Sequence, residues 1–152
     1  MYFLKSYFNW FNKRVIKAPK LYFNDTGLAC WLLSIHKPDQ IDTVSLYKGA
    51  LFENFVINEM IKYRFNRGLK NNLYYFRDSN ANEVDVIIDN GKELIGVEII
   101  SARTLANDFF KGLDYWKKLS GQKKSLLFYT GFDEFKYSNG NQVINWKNIA
   151  GI

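Results

Sequence analysis

Three carboxylates in the segment EVDVIIDNGKELIGVE, Glu83 to Glu98, stand where a strand ordinarily carries apolar side chains. Asn90-Gly91 between two apolar runs predicts a two-residue hairpin turn, because a type I′ turn needs positive φ at both positions and Asn-Gly adopts it most readily. In that register Asp89 faces Lys92, Ile87 faces Leu94, Asp85 faces Gly96 and Glu83 faces Glu98. Residues paired on an antiparallel ladder share a face, as do alternate residues of one strand. Glu83, Asp85 and Glu98 are therefore expected together, with Asp85 and Glu98 as diagonal neighbours about 7 Å apart or less. Gly96 would leave the spot opposite Asp85 open to a ligand. Crowded like charges repel and raise one another's pKa unless a cation or a proton relieves them. The segment reads either as a solvated, charged sheet face or as an oxygen-ligand site for a hard divalent cation such as Mg²⁺.

Further elements must hold that hairpin in place. Phe52, Phe55, Val56, Glu59, Met60 and Tyr63 recur at spacings of three and four, predicting an amphipathic helix from about Leu46 to Arg67. Glu53 lies in its first half, beside the apolar stripe. It is either a flanking carboxylate favoured by the helix macrodipole or a group aimed across a helix–sheet interface at the hairpin. Asn71-Asn72 reads as a turn, LYYFR (73–77) as a strand and DSNAN as a loop. Ala106 to Leu119 reads as a helix with Phe109, Phe110, Leu113, Trp116 and Leu119 inward. SLLFYT (125–130) is a nearly continuous apolar run, typical of a strand buried on both faces, and its spacing suits a right-handed parallel crossover. Upstream, PKLYFND predicts a short strand, Leu21 to Phe23, and a helix GLACWLLSI capped near Asp25 or Thr26. That helix is almost wholly apolar and is expected to be buried. A loop at His36-Lys37-Pro38-Asp39 carries the lone histidine, His36, without a partner of its kind. After Phe132 a weak turn at Asn139-Gly140 precedes a last strand near Val143–Trp146.

The composition sets bounds on class. With 152 residues, 47% hydrophobic and 18% aromatic, the chain can bury a genuine core and is not disordered. One cysteine, Cys30, excludes a disulfide framework and a zinc knuckle, and fits a reducing, cytoplasmic setting. No run approaches the roughly 18 apolar residues of a membrane span. MYFLKSYFNWFNKR is too interrupted by polar residues for a secretory signal and suits a partner-docking or core-covering segment. The net charge of +6 favours a polyanionic partner without requiring one. No repeat or linker divides the chain. One domain is expected over 1–152: an N-terminal helical and strand extension (1–45), a core (46–130) and a C-terminal hairpin region (131–152).

The stretches KAPKLYFNDTGLA, GALFENFVINEM and LYYFRDSNANEVDVII, in this order, resemble the domain of unknown function 4143, with similarity from about Tyr7 to Tyr129. That resemblance implies an α/β fold (an α+β mixed sheet) with a PD-(D/E)XK restriction-endonuclease-like core in α-β-β-β-α-β order. It also implies a place as the C-terminal domain of a prokaryotic AAA+-like ATPase. Nothing here matches G-x-x-x-x-G-K-[ST], so the ATPase part is expected on a missing N-terminal portion. Carried over residue by residue, the helix glutamate of the nuclease pattern is similar to Glu53, the metal-binding aspartate to Asp85, and the E-x-K motif to Glu98-Ile99-Ile100. Mg²⁺ would sit on Glu53, Asp85 and Glu98, with Glu83 secondary. Arg77 matches a family arginine.

The lysine of that motif is replaced by Ile100. In such chemistry the lysine positions the attacking water and offsets charge on the phosphorane, and losing a donor of that kind costs on the order of a hundredfold or more in rate. Lys92, Arg103 and Lys111 are the candidate substitutes. The leading expectation is a nuclease-like accessory domain that binds DNA or a partner and keeps a vestigial metal site. The alternatives are an active Mg²⁺-dependent DNA endonuclease with a relocated base and a purely structural interaction domain. Lys13, Arg14, Lys17, Arg77 and Arg103 are the expected phosphate contacts, with Lys62, Arg64, Arg67 and Lys70 adding basic charge around the long helix.

Overall fold

The computed structural model describes residues 1–8, 13–43, 45–149 and 152. Its elements are β1 (Tyr2–Leu4), β2 (Lys20–Tyr22), α1 (Thr26–Leu32), α2 (Pro38–Thr43), α3 (Ser45–Phe65), β3 (Leu73–Arg77), β4 (Glu83–Asp89), β5 (Leu94–Ile100), α4 (Lys111–Ser120), β6 (Ser125–Tyr129), β7 (Phe135–Lys136) and β8 (Asn141–Asn145). β1 and β2 form a small antiparallel pair, and the other strands form a six-stranded mixed sheet ordered β3-β4-β5-β6-β8-β7. β3, β4 and β5 are an antiparallel meander; β5, β6 and β8 run parallel; β7 closes the edge antiparallel to β8. The fold is thus α+β, with the expected helix–three strands–helix–strand order running from α3 to β6.

Two apolar layers hold the sheet between helices. On one face Val56, Ile57 and Met60 of α3 pack with Val86, Ile88, Val97 and Ile99. On the other, Leu113 and Trp116 of α4 pack with Phe76, Ile87, Leu127 and Val143. β6 is buried at every position, as its apolar run predicts. The N-terminal segment covers a sheet edge. The Tyr7 N–H donates to the Tyr75 carbonyl (2.7 Å), the Ile16 N–H to Arg77 (2.8 Å) and the Ser79 N–H to Arg14 (2.9 Å). Leu4 and Val15 are both buried, so the described parts of this segment cover the core; residues 9–12 lie outside the described residues.

The hairpin differs from the sequence reading in a way that matters. The observed pairs are Asp89 with Leu94, Ile88 with Ile95, Ile87 with Gly96 and Val86 with Val97. The connection therefore has four residues, 90–93, closed by the Asn90 N–H on the Glu93 carbonyl (3.0 Å). Only Gly91 takes positive φ, at 82°, so the two-residue turn that needs both residues left-handed does not form. The register moves by two, which keeps the side chains of these paired residues, Val86–Asp89 and Leu94–Val97, on their expected sides. Gly96 consequently faces Ile87, and its open side is filled: a Cβ there would lie 2.8 Å from Trp116 Cδ1. It is a packing seat for Trp116, not a ligand opening.

Two helical readings also change. α1 is not buried; only Ala29 is enclosed, while Leu28, Trp31 and Leu32 are 51%, 64% and 57% exposed. The expected loop at Pro38-Asp39 is the start of α2, with proline at the first helical position, where its missing N–H costs no bond. Gln40 reaches back to accept from the His36 and Lys37 N–H groups at 2.7 and 2.8 Å. No helix among the described residues is long and apolar enough to cross a membrane.

Candidate functional site

The site begins with an irregularity in β4. Tyr74 pairs with Ile87 and Phe76 with Val84, so Asp85 and Val86 together oppose Tyr75. One extra residue makes a bulge, which breaks strand alternation and re-aims a side chain. Val84 accordingly packs in the α4 layer and Val86 in the α3 layer. Asp85 sits at the break, and its Oδ2 accepts the Ile99 N–H of β5 at 2.9 Å.

Glu98 comes to Asp85 from the α4 side. It alternates with Gly96 and Ile100, which meet α4-layer residues. A Cβ on Gly112 in the first turn of α4 would collide with Glu98 Oε1 and lie 2.6 Å from the Glu83 carbonyl oxygen. Glycine at 112 is thus what lets the helix close over Glu98. The three carboxylates do not share one face as expected. Glu98 turns toward α4, Glu83 turns to Lys20 of β2, and Asp85 at the bulge meets Glu98 and Lys20.

Sequence reasoning missed the cation at the centre. Lys20 Nζ lies 3.2 Å from Glu53 Oε1 and 3.9 Å from Asp85 Oδ1, and it contacts Glu83 Oε1 directly. Tyr22, two residues on and so on the same strand face, donates its hydroxyl to Glu53 Oε1. β2 is held against α3 by two asparagines one helical turn apart. Asn54 accepts from the Phe23 N–H (2.8 Å) and donates to the Phe23 carbonyl (3.1 Å), where Asn58 also donates (2.7 Å). The readable signals were Lys20 at an inward position of a strand and the Asn54/Asn58 pair on the helix face that carries Glu53. Neither says which strand the asparagines grip.

Electrostatics follow from this crowding. Burial, then the Asp85 charge, pushes Glu98 up to about 10. Burial, then Glu53, pushes Asp85 up to about 7, against the opposing pull of Lys20 and the Ile99 N–H. Glu98 therefore holds the proton at neutral pH and donates it to Asp85, and the two titrate as a unit. Burial alone would lower Lys20, but Glu53, Asp85 and Glu83 outweigh it, and the ammonium is held above its ordinary value. Tyr22 is raised by burial and by Glu53.

The donor set is all carboxylate oxygen, which suits Mg²⁺. As placed, however, its charge is already met by Lys20 and by the shared proton. Among the described residues no three acidic, histidine or cysteine side chains are disposed to hold an ion. A divalent ion does not fit this arrangement without displacing both.

The other expected residues fall in several places. Ile100 lines a cleft of about 340 Å³ with Glu83, Glu98, Lys111 and Gly112, so the motif position carries no cation. Lys111 reaches that cleft but bonds Asp108 at 2.8 Å and is 77% exposed. Lys92 lies in the hairpin turn, with Leu94–Val97 between it and Glu98, too far at about 3.3 Å of rise per residue. Arg77 touches the cluster's edge, with Nε 3.5 Å from Glu83 Oε2. Lys13, Arg14, Lys17 and Arg103 are exposed; Lys17 stands 4.2 Å over the Phe8 ring. Arg64 is removed from the basic surface: it is 4% exposed and bonds the Met60 carbonyl (3.0 Å) and Asn72 Oδ1 (2.6 Å). Lys62 pairs with Glu59 at 2.8 Å, and Lys70 is exposed.

One missed residue shapes the loop before β4. Asp78, 2% exposed, accepts from the Asn80 and Asn82 N–H groups at 2.9 and 3.0 Å, from Asn82 Nδ2 at 2.9 Å and from the Tyr115 hydroxyl at 2.5 Å. Burial works against its charge, but these bonds hold it below the usual carboxylate value. The loop it ties includes Ala81, at φ 62°, and leads directly into Glu83.

No curated protein matches the chain. Residues 1–39 match the model of a domain of unknown function, DUF8612. Residues 48–149, the larger part of the chain and the part that carries Glu53, Glu83, Asp85 and Glu98, match the model of the domain of unknown function DUF4143, and the chain belongs to that family.

Proposed function

We propose that this chain is a PD-(D/E)XK-like domain that binds duplex DNA without cleaving it, as an accessory to an AAA+-like ATPase part. The observation that carries this reading is Lys20 seated among Glu53, Glu83 and Asp85 while Ile100 stands in the motif's lysine position. The cation is spent on the carboxylates, and Lys111, the cation that lines the cleft beside Glu98 among the described residues, is paired with Asp108. The exposed Lys13, Arg14, Lys17 and Arg103 supply phosphate contacts, which give salt-dependent affinity with no sequence readout. The accessory role is supported by the exposed apolar face of α1, the kind of surface that a folded neighbour covers.

Supercoiled plasmid incubated with the protein and Mg²⁺ or Mn²⁺ tests the reading. The expected result is retardation that falls steeply with salt, with no nicking. Nicking abolished by Glu98→Gln would overturn it. The second reading, a Mg²⁺-dependent endonuclease, is favoured by one distance: Lys20 Nζ is 3.9 Å from Asp85, so Lys20 is itself a relocated ammonium. Under that reading nicking is lost in Lys20→Met.

A further inference from the structure

A separate cleft of about 300 Å³ opens against the C-terminal half of α3. Its walls meet at Tyr63 on the helix and Trp146 after β8. Tyr63 is ten residues beyond Glu53, which is about 15 Å along a helix, so the cleft is not part of the acidic site. Its floor is aromatic: the Trp146 ring stands edge-on to Phe55, with centroids 5.4 Å apart at 76°. Its rim is basic. The Arg67 guanidinium lies 3.7 Å from the Tyr63 ring centroid and Lys147 Nζ 5.8 Å from that of Trp146. Lys62 adds a third cation, countered by the one carboxylate of the lining, Glu59.

Stacking surfaces flanked by cations are what a single-stranded nucleic acid requires, since each base offers a π-face and each link a phosphate. Arginine already resting on an aromatic ring pairs a phosphate while keeping its stacking contact. We propose that this cleft binds single-stranded DNA, with one base against Trp146 and the flanking phosphates on Arg67, Lys147 and Lys62. This goes beyond the duplex-binding reading and uses other residues. Cations near a helix C-terminus also favour the macrodipole, and that role alone predicts an effect on stability with none on binding.

The test is fluorescence anisotropy of the full chain with a labelled oligothymidylate of about 12 nucleotides, within the usual footprint of such sites. A duplex of the same length is titrated in parallel. Arg67→Gln/Lys147→Gln removes two exposed cations without touching the core. The expected result is oligonucleotide binding weakened about tenfold or more, with a logarithmic salt slope shallower by about 1.4 for two lost phosphate contacts. Tryptophan quenching on binding should also be lost in Trp146→Phe. No binding of the oligonucleotide, or binding unchanged in the double variant, overturns the inference. Duplex binding that persists in that case leaves the earlier proposal standing. Oligonucleotide binding that depends on the cleft, with no duplex binding, does the reverse.

Discussion

Lys20 is a counter-ion held by position rather than by pairing with one partner. Its ammonium serves Glu53, Glu83 and Asp85 together, at a side-chain exposure of 24%. Removing one member of a partly buried charge group leaves the others unpaired, and it is this exposure of like charges that costs stability. Lys20→Met should therefore destabilise the fold by about 1–3 kcal/mol near pH 8, read by urea denaturation. The loss should shrink toward pH 5, as Asp85, raised to about 7, takes up its proton. Millimolar Mg²⁺ should restore part of it, because the vacated position then offers three oxygens to a cation. A variant as stable as wild type across that range would show that Lys20 is a surface ion pair of little weight.

The Asp85–Glu98 pair makes a second prediction at this scale. Both folded-state values are raised above those of an unfolded carboxylate, to about 7 and about 10. The native state thus binds more protons than the unfolded chain between about pH 4 and 10, and stability falls as pH rises through that window. The contribution is fully present below about pH 4, falls most steeply up to about 7 while both carboxyls hold an extra native proton, and falls more gently from there toward 10, where only Glu98 does. Glu98→Gln keeps a donor for Asp85 and removes the higher of the two titrations. It should gain on the order of 1–2 kcal/mol at pH 8 and flatten the pH profile of the melting temperature. A profile as steep as wild type would place the proton elsewhere.

At the scale of elements, the site depends on how closely α4 approaches β5. Gly112 lies where any Cβ would strike Glu98 and the Glu83 backbone. Gly112→Ala must push the first turn of α4 outward, away from a layer in which Leu113 and Trp116 are fully buried. Overpacking of this kind costs about 1–3 kcal/mol, whereas an alanine at an unconstrained helix site would gain slightly over glycine. The sign of the change, measured by thermal denaturation, decides whether the contact constrains the helix. Elements such as α3, β3 and β6 were legible because period and length alone specify them. The β4 bulge was not, since EVDVIID alternates well enough to hide an extra residue whose only mark is pairing with Tyr74 and Phe76 of another strand. The buried state expected of α1 failed for the opposite reason. Apolar composition says that a surface will be covered, not that this chain covers it. Lys20 escaped notice because its role requires β2 to dock on α3, a contact set by Asn54 and Asn58 across about thirty residues.

At the scale of the whole molecule, the two family matches part company between residues 39 and 48, yet the contacts do not. Residues before this gap supply Lys20 and Tyr22 to the acidic site, Phe23 to α3, and backbone bonds from Tyr7 and Ile16 to β3. Those bonds cover an edge strand whose free N–H and C=O groups would otherwise invite pairing with another chain. They also bring Leu4 and Tyr22 into the same apolar layer as Val56, Val97 and Phe128. Cutting the chain at Ser45 therefore removes the central cation and part of one core layer, and bares a sheet edge at the same time. The intact chain should unfold in one cooperative calorimetric transition, because neither part can bury its apolar surface alone. The fragment 45–152 should associate on concentration, read by light scattering, and melt at a lower temperature. Adding Lys20→Met to the intact chain should reproduce the site's electrostatic loss without that association, since the edge stays covered. Were the fragment to remain monomeric and as stable as the whole, residues 1–44 would be a separate module resting on the sheet, and the acidic site would not need Lys20 to fold.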